Sequence, residues 1–126
     1  MHLRSGSETI LVVDDNPAIV KLVATILLPL GYRVLDAESG TRALQLAEAG
    51  RGEVDLLLTD VVMPGMTGAE LAGVFEEKWP RVKILFMSGY MSPAISAEDR
   101  HSRQKGFLRK PLCPWELASK VRELLD

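Results

Sequence analysis

Short apolar runs alternate along this chain with segments in which apolar residues recur at helical spacing. Each run is bounded by turn residues and is nearly continuous, which is typical of strands covered on both faces. In the segments between the runs, apolar residues return every three or four positions, which indicates helices packed along one side. The pattern predicts five strands and five helices in alternation. Such an alternation favours a parallel α/β sheet joined by right-handed crossovers.

The predicted strands are Thr9–Val13, Tyr32–Ala37, Val54–Thr59, Lys83–Met87 and Phe107–Arg109. The helices begin near Pro17, Ser39, Thr67, Ser92 and Pro114. Proline at a first helical position and Ser or Thr at an N-cap are common helix starts. The fourth helix, Ser92–Lys105, is weakly supported because the segment is polar, and such a segment suits a movable element.

Two local patterns refine these helices. Thr67 and Glu70 form a capping-box pattern at the start of the third helix. Pro29 falls in the last turn of the first helix, before Gly31. Because proline removes a backbone donor there, we expect the helix to kink or to end early.

Length and composition limit the classes of protein that are open. The 126 residues suit one domain, with 47% hydrophobic and 25% charged residues. A net charge of −2 gives no reason to expect nucleic acid or an anionic membrane as a partner. The single cysteine, Cys113, excludes an internal disulfide and favours a cytoplasmic location. Residues 1–8 are polar, so we interpret them as a disordered leader or a linker outside a domain spanning residues 9–126.

Polar residues follow four of the predicted strands and carry the candidate chemistry. They are Asp14 with Asp15, Asp60, Ser88 and Lys110. Since parallel strands gather their carboxyl ends at one edge of a sheet, these side chains should meet there. Three neighbouring carboxylates repel one another unless a cation binds them. With no His or Cys in the cluster, oxygen ligands favour Mg²⁺, which can also hold phosphate oxygens.

The sequence resembles the receiver domains of response regulators from about Thr9 to Leu125. The motifs that carry the resemblance are Ile10-Leu11-Val12-Val13-Asp14-Asp15-Asn16, Asp60-Val61-Val62-Met63-Pro64-Gly65-Met66, Ser88-Gly89-Tyr90 and Lys110-Pro111. All of them occur in family order, which makes the combination specific. The resemblance implies a flavodoxin-like, doubly wound (βα)5 three-layer sandwich with strand order 2-1-3-4-5. It also implies a cis peptide as an option at Lys110-Pro111.

The resemblance further implies the roles of individual residues. Asp60 would be the nucleophile that accepts a phosphoryl group from a phosphohistidine. Mg²⁺ would be bound by Asp15, Asp60 and the main-chain carbonyl of Val62, with Asp14 acting through water. The phosphodonor would be a sensor histidine kinase or a histidine phosphotransfer domain. These roles agree with chemistry in which a positioned oxygen nucleophile and a charge clamp do most of the catalysis.

The remaining implied residues would respond to the phosphoryl group. Lys110 would pair with Asp60 and then with the phosphoryl oxygens, while the Ser88 hydroxyl would donate to them. Phe107 is interpreted either as a switch residue that rotates inward or as a plain core aromatic. The face formed by the fourth helix, the fifth strand and the fifth helix would then change, and a homodimer through it is an option. Val62 has no polar group to orient an attacking water, which predicts slow self-dephosphorylation.

Several alternatives stay open at this level. The parent protein is either a hybrid sensor histidine kinase with an appended receiver or a stand-alone regulator. A Mg²⁺-dependent phosphohydrolase with an aspartate nucleophile uses similar residues, but its Asp-x-Asp pattern after the first strand is missing here. A third option is a protein-binding module that works without phosphorylation.

Overall fold

The computed structural model describes residues 5–50, 53–89 and 105–126. Its strands are β1 (Thr9–Val13), β2 (Arg33–Ala37), β3 (Leu56–Asp60), β4 (Lys83–Ser88) and β5 (Lys105–Arg109). Its helices are α1 (Pro17–Leu27), α2 (Gly40–Ala49), α3 (Gly68–Lys78) and the C-terminal helix (Pro114–Leu125), which is the predicted fifth helix. The predicted fourth helix lies outside the described residues, apart from Lys105, which is the first residue of β5 instead.

The five strands form one parallel sheet in the order β2-β1-β3-β4-β5. This order confirms the doubly wound fold. Val13 of β1 lies beside Thr59 of β3, so the residues that follow them emerge next to each other. Ser88 of β4 lies beside Arg109 of β5. The register therefore brings the predicted polar strand ends to one edge.

Two apolar clusters, one on each face of the sheet, produce three layers. Odd-numbered residues of β1, such as Leu11, pack with Phe75 of α3 and with α2. Even-numbered residues, such as Val12, pack with Val23 of α1 and Leu117 of the C-terminal helix. Every residue of β1 and β3 is buried, as the continuous apolar runs predict. Each fully buried leucine contributes roughly 1.5–3 kcal/mol, so these central strands hold the site rigidly.

The predicted helix ends are confirmed. The Ser39 hydroxyl accepts a hydrogen bond from the Arg42 N–H (3.2 Å), and Thr67 and Glu70 form a full capping box. α1 ends at Leu27, and a 3₁₀ turn, Leu28–Leu30, contains Pro29. Proline thus shortens this helix, as expected. None of the helices in the described ranges has the length and apolarity needed to cross a bilayer.

The N-terminal segment differs from the expected leader. The Gly6 N–H donates to the Leu30 carbonyl (2.9 Å), and the Arg33 N–H donates to the Glu8 carbonyl (3.0 Å). The Glu8 carboxylate accepts two hydrogen bonds from Arg122 of the C-terminal helix (2.6 and 3.1 Å). Residues 6–8 therefore contact the domain, whereas the sequence placed its boundary at residue 9.

Candidate functional site

The carboxyl edge of the sheet brings together the side chains that the sequence singled out. Asp14 and Asp15 follow β1, and Asp60 ends β3. One carboxylate oxygen from each of the three lies within 4.8 Å of the others. The Lys110 N–H donates to the Ser88 carbonyl (2.7 Å), which joins the ends of β4 and β5 beside them. We define these three aspartates with Lys110 as the acidic cluster.

The carboxylates of the acidic cluster differ in exposure. Asp14 is 1% exposed and Asp60 is 8% exposed, while Asp15 faces solvent. Buried carboxylates are costly unless hydrogen bonds or cations compensate the charge. The cluster therefore combines two sheltered carboxylates with one that is open to water.

Lys110 lies closer to Asp14 than to the predicted acceptor. Its Nζ is 2.8 Å from Asp14 Oδ2 and 3.5 Å from Asp60 Oδ1. Asp14 Oδ1 accepts a second hydrogen bond from the Asn16 N–H (2.8 Å). Both Asp14 oxygens thus already have a protein donor. This arrangement agrees with an Asp14 that reaches a metal ion through water.

Folding raises the pKa of the Asp60 carboxyl above its ordinary value of 3.8. Burial is the main cause, and the negative charge of Asp14 adds to it. The Lys110 ammonium opposes both effects without cancelling them. One ammonium among three carboxylates leaves excess negative charge at the edge. A bound cation would relieve that excess.

The acidic cluster has the donor set of a hard divalent cation. Its candidate ligands are carboxylate oxygens, and the cluster contains no imidazole or thiolate. Mg²⁺ commonly takes one or two carboxylates and keeps several waters. The exposed Asp15 leaves room for those waters. The residues present therefore fit a Mg²⁺ ion.

Other predicted residues lie around the cluster. Ser88 is buried at 2% exposure, Phe107 is half-buried on β5, and Val62 is 51% exposed beside Asp60. The Lys110-Pro111 peptide is cis. Cys113 is exposed at the N-cap of the C-terminal helix. Tyr90, named with Val62 in the sequence motifs, lies outside the described residues.

The backbone supports of Asp60 were missed by sequence reasoning. The Thr59 hydroxyl donates to the Asp60 carbonyl (3.0 Å), and the Val61 N–H donates to the Met87 carbonyl (3.1 Å). The Gly68 N–H donates to the Val61 carbonyl (2.9 Å). A Thr before the acceptor and a Gly at the start of α3 are weak signals alone. Only the folded geometry shows that they converge on Asp60.

Fold and site together are those of a phosphoacceptor domain of two-component signalling. Residues 10–122 match the family described as the response regulator receiver domain, and the chain belongs to that family. This membership confirms the resemblance found in the motifs.

The relatives of this chain differ in length, so the chain matches a different share of each. The chain is 38% identical to the sensor kinase CckA of Brucella abortus over 122 residues, 97% of this chain but 13% of that protein. It is 30% identical to the response regulator receiver protein CpdR of the same organism, covering 92% of this chain and 95% of CpdR. The chain therefore spans a small part of one relative and nearly the whole of another.

Solved structures support the same fold. The response regulator TrrA of Thermotoga maritima, solved in complex with Mg²⁺ and BeF, superposes with a TM-score of 0.79 at 33% identity. The alignment covers 94% of this chain and 99% of TrrA.

Proposed function

We propose that Asp60 accepts a phosphoryl group from the phosphohistidine of a sensor histidine kinase or a histidine phosphotransfer domain. The observation that carries this proposal is the meeting of three carboxylates and Lys110 at the carboxyl edge of the sheet. Asp60 is suited to the acceptor role because it is sheltered and lies 3.5 Å from Lys110, whereas both Asp14 oxygens already have a protein donor.

In the proposed transfer, an Asp60 carboxylate oxygen forms a bond to phosphorus while the phosphorus–nitrogen bond of the donor breaks. The donor imidazole leaves as the neutral base once it has a proton. Asp60, Asp15 and the carbonyl of Val62 would hold Mg²⁺, with Asp14 acting through water. When bound, Mg²⁺ would neutralise charge on the phosphoryl oxygens and orient them. Lys110 would swing its ammonium from the carboxylates toward those oxygens.

The product differs from Asp60 in charge and in acceptor oxygens, so nearby donors should follow it. Ser88 at the end of β4 would donate its hydroxyl to the phosphoryl group. Movement there would reach Phe107, which lies beside Phe86 of β4 in the register. We propose that this shift changes the face formed by β5 and the C-terminal helix, through which a homodimer could form.

The partner surface that we propose is the outer face of α1. Leu22 is 38% exposed, and Leu28, which follows α1, is 53% exposed. Lys21 is the sole charged side chain of this helix. Leu28 lines a cavity together with Asp14 and Asp15, and apolar surface beside such carboxylates suits a partner helix that presents a phosphohistidine. The natural setting for this exchange is the cytoplasm, and the parent is a hybrid kinase or a stand-alone regulator.

The test is incubation with Mg²⁺ and acetyl phosphate, followed by intact-mass measurement. Wild type should gain one base-labile phosphoryl group, and Asp60→Asn should gain none. Asp36→Asn is the matched control, because Asp36 is an exposed carboxylate of β2 outside the acidic cluster. An equal adduct in wild type and Asp60→Asn would reject Asp60 as acceptor. Multiple turnover without a stable adduct would instead favour hydrolase chemistry.

A further inference from the structure

The first residue of α3 lies directly against the backbone of the predicted phosphoacceptor. A Cβ built on Gly68 would be 2.0 Å from the Asp60 carbonyl oxygen and 2.9 Å from its carbonyl carbon. Real Cβ atoms do not approach backbone atoms that closely. Gly68 is itself buried, so an added methyl group has no open direction into which to move.

The peptide that joins Asp60 to Val61 is held on both sides. Its N–H donates to the Met87 carbonyl of β4 (3.1 Å). Its carbonyl accepts the Thr59 hydroxyl (3.0 Å) and packs under the Gly68 Cα. A fixed peptide fixes the direction of the Asp60 Cα–Cβ bond. The Asp60 carboxylate, which lies 3.5 Å from the Lys110 Nζ and within 4.8 Å of an Asp15 oxygen, is therefore held from a fixed base.

α3 cannot easily retreat from this contact. Leu71 and Phe75 are fully buried in the core, and the Thr67–Glu70 capping box fixes where the helix begins. The Gly68 N–H also donates to the Val61 carbonyl (2.9 Å), which closes the loop that follows β3. A side chain at position 68 would therefore displace the Asp60 peptide as well as the helix.

We infer that Gly68 is a positioning residue for phosphoryl acceptance, acting by letting α3 seat on the Asp60 peptide. This inference rests on the proposed role of Asp60. The loop that the Gly68 N–H closes through the Val61 carbonyl also contains Val62, whose carbonyl is the proposed third Mg²⁺ ligand. A displacement on the order of 1 Å in a reacting group can cost about 10²-fold in rate.

Two other glycines provide matched controls. Gly73 lies in the same helix with no atom within 4 Å of a built Cβ, so Gly73→Ala adds a methyl group without a contact. Gly65 lies in the loop after β3 with φ +79° and equally open space. Gly65→Ala therefore strains the loop through its backbone conformation without touching Asp60.

The experiment measures adduct formation with acetyl phosphate in wild type, Gly68→Ala, Gly65→Ala and Gly73→Ala. Circular dichroism first identifies a temperature at which every variant is folded. The rate is then measured over a range of Mg²⁺ concentrations, which gives the rate at saturating Mg²⁺ and the Mg²⁺ dissociation constant as separate quantities. We expect Gly68→Ala to lower the saturated rate by about 10- to 100-fold and to weaken Mg²⁺ binding, which calorimetry measures without phosphorylation. The saturated rate of Gly73→Ala should stay within about twofold of wild type. Gly65→Ala should lose thermal stability, but its saturated rate should fall far less than that of Gly68→Ala.

Each contrary result has its own meaning. A folded Gly68→Ala that is phosphorylated at the wild-type rate would overturn the inference, and so would equal rate losses in Gly68→Ala and Gly65→Ala. If Gly68→Ala does not fold alone, the Gly68→Ala/Gly73→Ala double variant is used, since alanine at an exposed helix position is favourable. If that also fails to fold, Gly68 serves the fold and the inference is wrong. If wild type gains no adduct, the proposed function fails first.

Discussion

The two ends of the sheet carry charged clusters that differ in how well their charges are paired. At the amino end, Arg122 makes hydrogen bonds to both Glu8 oxygens, to Asp126 (2.9 Å) and to the Tyr32 hydroxyl (3.3 Å). At the carboxyl end, Lys110 is the ammonium placed among the three aspartates. A planar guanidinium can satisfy several acceptors at once, whereas one ammonium cannot neutralise three carboxylates.

The pKa values follow that difference. The Arg122 hydrogen bonds lower the pKa of Glu8 from 4.5 to about 2, because they favour the charged form. Burial raises the pKa of Asp60, because it favours the protonated form. The amino-end cluster therefore stabilises the fold at neutral pH. The acidic cluster instead retains excess negative charge that a bound cation can neutralise, and an ammonium that can pair with a phosphoryl group.

Among changes that leave the Asp60 acceptor in place, removing Lys110 should have the largest effect on the chemistry. Lys110→Ala takes away the donor that meets both buried carboxylates, so phosphorylation by acetyl phosphate should slow by about 10²- to 10³-fold. Lys120→Ala is the control, since Lys120 is a partly exposed lysine that pairs with Glu123 on the C-terminal helix. Equal phosphorylation rates in wild type and Lys110→Ala would contradict the view that the carboxyl-end cluster serves chemistry while the amino-end cluster serves stability.

At the amino end, Glu8→Gln should lower the free energy of unfolding by about 1 kcal/mol at pH 7, since the pair is partly exposed. A depressed pKa gives stability that is present above pH 4.5 and is lost as pH falls toward about 2. The difference between wild type and Glu8→Gln should shrink over that window in urea unfolding. Glu77→Gln, at an exposed position of α3, should show no such difference.

Asp60→Asn should change stability in the opposite direction. A carboxyl with a raised pKa stabilises the fold most below its ordinary value of 3.8, and this contribution is lost as pH rises through the folded pKa. Without Mg²⁺ at pH 7, Asp60→Asn should therefore raise the free energy of unfolding by about 0.5 kcal/mol. Saturating Mg²⁺ should stabilise wild type more than the variant. A loss of stability without Mg²⁺ would show that the acidic cluster is not strained by its charge.

Val62 gives the smallest predicted effect on the chemistry. Its exposed side chain beside Asp60 offers no hydrogen bond to an attacking water. Val62→Asn supplies one, so the phosphoryl group should be lost about threefold faster. The adduct mass, followed after removal of acetyl phosphate, measures the lifetime. Val62→Thr adds a shorter polar group and tests whether the side chain must be long enough to contact the attacking water. An unchanged phosphoryl lifetime in Val62→Asn would contradict the proposed role of position 62.

Sequence patterns predicted the acidic cluster well, because its members follow apolar strands that the periodicity marks clearly. The preference of Lys110 for Asp14 was not predictable, since it depends on side-chain distances that differ by less than 1 Å. The contact between Glu8 and Arg122 was missed for another reason. It joins residues 114 positions apart, and no local pattern marks either one.

The strand boundaries show the same limit. β5 begins at Lys105, two residues before the predicted start, although Gly106 has low strand propensity. A Cβ on Gly106 would lie 3.1 Å from Leu85 and 3.2 Å from Leu124. The close packing of β4 and the C-terminal helix therefore leaves little room for a side chain there, which propensity alone cannot indicate. No local pattern marks the contact between Gly68 and Asp60 either, because it exists only in the folded chain.

The central claim is that the acidic cluster directs a phosphoryl group to Asp60 and to neither neighbouring carboxylate. Borohydride reduces an aspartyl phosphate to homoserine, so peptide sequencing after Mg²⁺, acetyl phosphate and borohydride identifies the modified residue. The account predicts homoserine at position 60, with Asp14 and Asp15 unchanged. Homoserine at position 14 or 15 in the wild-type protein would contradict it.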